Sequence, residues 1–132
     1  MTNKGLRITN KAGTHFITFA VVGWVDVFAK QEYRNILLES LRYCQQHRGL
    51  IIHAWCLMSN HIHLIVSAKN KDTSEIMRDF KKFTSTRIIA AIENNEQERR
   101  KLWMLRVFRE AGEKNSRNQT YRPNDTTEHR IV

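Results

Sequence analysis

Two apolar segments, Leu50–Leu57 and His61–Ala68, follow one another with only Met58-Ser59-Asn60 between them. Side chains of a strand alternate between its two faces. In the first segment Ile51, His53, Trp55 and Leu57 therefore share one face, and Ile52, Ala54 and Cys56 the other. Ser59-Asn60 is turn chemistry. The pattern predicts a hairpin of two paired strands, and the rest of the chain has to be fitted around it. The second strand opens on His61-Ile62-His63 and continues as Leu64-Ile65-Val66. His61 and His63 fall on one face, Ile62 and Leu64 on the other. Two imidazoles on neighbouring same-face positions can grip one metal ion, while one side of the ion stays open to a substrate. His53 lacks such a neighbour, and a lone strand histidine is more often packed or solvated than a ligand.

The flanking segments supply the partners. Residues 15–28 are rich in Phe, Ile, Val and Thr with both alternating sets apolar, which predicts a strand covered on both faces. Gly23 bends or ends it. Residues 30–48 predict an amphipathic helix with Ile36, Leu37, Leu41 and Cys44 as its stripe, flanked by Tyr33 and Leu38, and Gly49 as its C-cap. Asp72 with Glu75 resembles a capping box and starts a helix over Thr73–Asn94. Met77, Phe80, Thr84, Ile88 and Ala91 form its buried stripe. Arg78, Lys81, Lys82 and Arg87 lie off that stripe and are candidates to face DNA phosphates, although a charged run on a helix is usually only its wet face. Residues 96–110 predict a further helix.

The order β-α-β-β-α, then a helix, predicts an α+β fold of the split βαβ, ferredoxin-like kind. Its antiparallel sheet carries helices on one face, and the last strand and a C-terminal helix are not evident. One domain is expected over residues 1–112. Residues 113–132 read as a polar tail, disordered for want of core residues, that contains the only proline, Pro123.

Composition narrows the function. Lys and Arg total 22 against 13 Asp and Glu, a net charge of +9 with a pI near 10.0. A small domain this basic suits a polyanionic partner, nucleic acid above all. No apolar run approaches the roughly 20 residues that span a bilayer. The first residues lack the apolar stretch of a signal peptide, so a cytoplasmic location with no membrane partner is expected. Cys44 and Cys56 make no CxxC pair and read as reduced, buried thiols.

The run Trp55-Cys56-Leu57-Met58-Ser59-Asn60-His61-Ile62-His63-Leu64-Ile65-Val66 resembles the signature of the single-tyrosine HUH transposases, which include insertion-sequence transposases and REP-associated tyrosine transposases. Thr14-His15-Phe16-Ile17-Thr18-Phe19 is similar to that family's first strand. The resemblance spans residues 13–122. It implies a single-strand endonuclease and strand transferase acting on single-stranded or hairpin DNA. His61 and His63 would hold a divalent ion, Mg or Mn, against the scissile phosphate. A tyrosine would attack phosphorus and leave a 5′-phosphotyrosine link. The third metal ligand stays open between His129 and a residue beyond the chain's end. A homodimer is also implied.

At the nucleophile the chain departs from the pattern. The family's tyrosine normally lies on a helix beyond a Trp-containing segment, often as Tyr-Ile followed by Asn-Pro. Here Tyr121 is the only candidate, and Pro123 disfavours helix at Arg122. The alternative is a truncated or frameshifted member that binds DNA and is catalytically inactive. An RNA-binding domain of RRM type shares the element order, but residues 61–68 lack the exposed aromatics such domains stack on bases.

Overall fold

A computed structural model describes residues 13–70, 72–117 and 128–132. Strand β1, His15–Ala20, ends earlier than its apolar run suggests. Residues after it fold into two 3-10 turns, Val22–Trp24 and Val27–Ala29. Gly23 (φ 66°) and Trp24 (φ 56°) adopt the left-handed conformation that breaks the strand. The turns hook onto the hairpin loop: Val21 N–H donates to Asn60 O at 2.9 Å and Phe28 N–H to Ser59 O at 2.8 Å.

Helix α1 covers Gln31–His47, β2 Leu50–Leu57 and β3 His61–Ala68, all close to the expected bounds. Helix α2, Thr73–Asn94, starts at the Asp72 cap, where Oδ1 accepts the Ser74 N–H at 2.9 Å. Helix α3 runs Lys101–Arg117. Its expected onset at residue 96 is taken up instead by a turn, in which Asn95 Oδ1 accepts the Gln97 N–H and Glu98 is buried.

The sheet order is β2-β3-β1-β4. The β1–β3 and β2–β3 pairs are antiparallel. The last strand, β4, is three residues, Glu128–Arg130, and pairs parallel with β1. Two expectations are corrected here. The last strand exists, and the sheet is mixed rather than wholly antiparallel. Part of the segment read as a polar tail also joins the core: Ile131 and Val132 are buried, and Ile131 N–H donates to Ala20 O at 2.8 Å. A strand of three residues, all of them polar, has no periodicity to reveal it.

Ile17 and Phe19 of β1 and Ile62, Leu64 and Val66 of β3 are buried on one sheet face. Leu37 and Leu41 of α1 and Ile76, Met77, Phe80, Ile88 and Ile92 of α2 complete the same core. The Phe19 and Phe80 rings lie 5.5 Å apart, which fixes the helix side of the sheet. No helix among the described residues is long and apolar enough to cross a membrane.

Glu98 ties α1 to the α2–α3 turn. Its carboxylate accepts from Tyr33 Oη at 2.9 Å and pairs with Lys30 Nζ at 3.2 Å. Burial would raise its pKa, but hydrogen bonds from Tyr33, Lys30 and the Arg100 backbone outweigh this and hold it below the ordinary carboxylate range. A depressed folded-state pKa adds stability above the unfolded value near 4.3, and this is lost as pH falls through the folded value. Urea titrations below about pH 4.3 should therefore show stability falling with acid. In Glu98→Gln that part of the slope should be missing.

Candidate metal centre

The hairpin places His61 and His63 on the sheet face opposite the helices. In register His63 sits beside Thr18 and His61 beside Ala20, whereas Ile62 pairs with the core residue Phe19. Both imidazoles are half-buried, and their ring centroids are 4.7 Å apart at 75°. Each ring is held at Nδ1. The Asn60 side-chain oxygen lies 2.7 Å from Nδ1 of His61, and the Thr18 hydroxyl 2.9 Å from Nδ1 of His63.

Those contacts decide what the rings offer. An amide oxygen only accepts, so His61 carries its hydrogen on Nδ1 and its lone pair on Nε2. The Thr18 hydroxyl can accept from His63 Nδ1 in the same tautomer, which leaves Nε2 to bind. Ligating histidines usually have such a partner on the other ring nitrogen, which fixes tautomer and orientation. The donor set thus fits a divalent ion held by two imidazole nitrogens. Among the described residues no third His, Cys, Asp or Glu converges on the pair. Asn60 stands next to His61 and is legible as part of its motif. Thr18 has no neighbour in sequence that marks it, and only the β1–β3 register reveals its role.

Other residues of interest are placed elsewhere. His129 pairs with Phe19 in register, their rings 5.7 Å apart on the helix-covered side, so it is not brought to the histidine pair. His53 sits in an irregularity of the β2–β3 pairing, with Nε2 2.8 Å from Ser67 Oγ. Cys44 is buried, and burial pushes its thiol up to about 11. Cys56 is exposed, against expectation, because it lies on the open sheet face.

The basic residues of α2 stand on the helix side. Arg78 and Lys82 are exposed. Lys81 is half-buried, and burial, with Arg130 nearby, lowers its pKa. Arg87 pairs with Glu39 at 3.4 Å and lies over the Phe83 ring. None of the four shares the sheet face of His61 and His63.

The chain has three tyrosines. Tyr33 is fully buried, and burial, with Glu98 beside its hydroxyl, pushes its pKa up to about 12. Tyr43 stacks on His47 at 4.6 Å, both on α1. Tyr121 lies outside the described residues.

Comparison with known proteins adds one finding. The sequence model of a family described as "Transposase IS200 like" matches residues 14–121. That span begins at β1, includes the hairpin and both histidines, and ends on Tyr121. No curated protein gives a significant match, and no solved structure does.

Proposed function

The chain belongs to the IS200-like transposase family, and on that premise we propose that it cuts and rejoins single-stranded or hairpin DNA with a tyrosine nucleophile beside a metal held by His61 and His63. A transposase acts on DNA, and the charge of +9 suits that partner. The observation that carries the finer reading is the pair of imidazoles 4.7 Å apart, each with Nδ1 occupied and Nε2 left to bind.

Mg or Mn is the ion proposed, and when bound it would polarise a phosphoryl oxygen and offset developing charge. The protein's own contribution is to fix the two rings: Asn60 holds His61 with its hydrogen on Nδ1, Thr18 orients His63, and the sheet sets their separation.

Tyr121 is the proposed nucleophile. Tyr33 is committed to Glu98, and its raised pKa opposes ionisation. Tyr43 stands on α1, across the sheet from the histidines. In the proposed step the Tyr121 oxygen bonds to phosphorus as the bond to the 3′ oxygen breaks. The phenol loses its proton, and the 3′ oxygen leaves as a hydroxyl after gaining one. The bond energy is kept in the phosphotyrosine for rejoining. Arg78, Lys81, Lys82 and Arg87, on the helix side, are proposed contacts to DNA away from the cleavage point. Pairing of two copies belongs to the same proposal.

Denaturing gels test this. Incubation with Mn and single-stranded hairpins from the DNA flanking its gene should give a protein–DNA adduct joined at the 5′ end. Tyr121→Phe should abolish it. Adduct retained in Tyr121→Phe removes Tyr121 from the role. Salt-sensitive binding with no adduct under Mg or Mn favours a domain that grips DNA without cutting it.

A further inference from the structure

At the end of β1, where residues 20–24 meet His129 and Arg130, the surface opens into a cleft of about 200 Å³. Ala20 lines it, with Trp24 and Arg130. The register explains the placement: Arg130 of β4, Ala20 of β1 and His61 of β3 lie on one rung. Neighbouring strands are about 4.8 Å apart, so Arg130 and His61 are separated by roughly two such spacings. Ala20 is the residue between them on that rung. The neighbouring rung, Ile62, Phe19 and His129, belongs to the helix side, so Arg130 occupies a histidine-face position in register, on the edge strand of the sheet.

Two features of the cleft call for a ligand. Trp24 holds φ at 56°, a conformation that side-chain-bearing residues rarely adopt, and keeps its indole 57% exposed. The ring stands edge-to-face with His61 at 5.9 Å, and Phe16 stands likewise beside His63 at 5.7 Å. Asn60, which orients His61, also donates from Nδ2 to Trp24 O at 3.4 Å. The second feature is Arg130. It is half-buried, burial lowers its pKa, and no carboxylate among the described residues pairs with it. From the sheet edge its charge also acts on another cation, Lys81 of α2. A partly desolvated guanidinium with no anion among the described residues is suited to bind one.

We propose that Trp24 and Arg130 form a nucleotide subsite for single-stranded DNA, in which a base stacks on the Trp24 indole and Arg130 binds the phosphate beside the one held at His61 and His63. Aromatic rings accept any unpaired base, and a guanidinium suits phosphate geometry. The subsite rests on the reading of the chain as a single-strand transferase. It sets where along the strand the scissile phosphate falls.

Binding of a fluorescein-labelled, mixed-sequence single-stranded oligonucleotide, followed by anisotropy with EDTA present, tests it without metal or cleavage. Trp24→Ala should weaken binding about tenfold with an unchanged salt slope, and Trp24→Phe should keep most of the affinity. Arg130→Ala should weaken binding and reduce the slope of log K against log salt by about one, while Arg130→Lys keeps the slope. Arg130→Gln, which retains the stem, carries the same expectation if the alanine variant melts early. The same oligonucleotide as a duplex should bind wild type and Trp24→Ala alike. Equal single-strand affinity and slope in wild type, Trp24→Ala and Arg130→Ala would overturn the subsite alone. A wild-type chain that fails to bind single strands at low salt would overturn both the subsite and the proposed function.

Discussion

His63→Ala is expected to lower metal-dependent strand cleavage roughly 10³-fold, which corresponds to the several kcal/mol a bound ion supplies at a developing phosphoryl charge. The loss follows from ligand count. Among the described residues only two protein side chains converge, so removing one leaves a single imidazole to hold the ion. His61→Ala should behave alike. Neither variant should unfold the protein, because both rings lie half-exposed on the open sheet face and leave the core below them unchanged. Single-strand binding should persist, since the basic residues proposed to meet phosphates lie elsewhere and phosphate contacts supply a large share of nucleic-acid affinity in general. Cleavage rates, melting curves and anisotropy on the same preparations separate these effects. Thr18→Val offers a graded companion. It removes the hydroxyl at Nδ1 of His63 and should cost about 10–100-fold in metal affinity or activity, as loss of such supporting partners does elsewhere.

Phe19→Ala should lower stability by about 3–5 kcal/mol. The ring is fully buried and contacts Phe80 of α2 at 5.5 Å and His129 of β4 at 5.7 Å. It therefore links the helix layer, the central strand and the short terminal strand. A domain of this size has about 5–15 kcal/mol in total, so the variant would lose a large share of it. Urea unfolding measures the difference. Phe19→Leu, which keeps most of the volume, should cost much less. Equal stability of wild type and Phe19→Ala would mean that β4 and α2 do not depend on this contact.

The elements with strong periodicity were legible in the sequence. Strand β3 alternates over eight residues, and the Asp72 cap marks where α2 begins; in β2 an irregularity at His53 breaks the alternation, so Ile51 and Leu57, expected on one face, lie on opposite faces. The histidine pair was legible for the same reason, because a two-residue period needs only adjacent positions to assign a face. Residues 21–28 were not. They are as apolar as a strand, yet they fold as turns, since an apolar run alone does not separate a strand from a buried loop. There Val21, Val25, Val27 and Phe28 are buried without continuing the sheet. Strand β4 was hidden by its shortness and by its parallel pairing with a strand over a hundred residues earlier. Arg130 could not have been found for the same reason: only the register across β4, β1 and β3 brings it to the rung of His61. Thr18 is a similar case, since its contact with His63 spans 45 residues.

Pulsed electron paramagnetic resonance of bound Mn²⁺ tests the central claim most directly, because imidazole nitrogens bonded to the ion modulate its echo. With single-stranded DNA present, the wild-type protein should show coupling to two histidine nitrogens, His63→Ala to one, and the double variant His61→Ala, His63→Ala to none. A wild-type spectrum without nitrogen coupling, or one unchanged by loss of both histidines, would contradict the assignment of His61 and His63 as the metal's ligands.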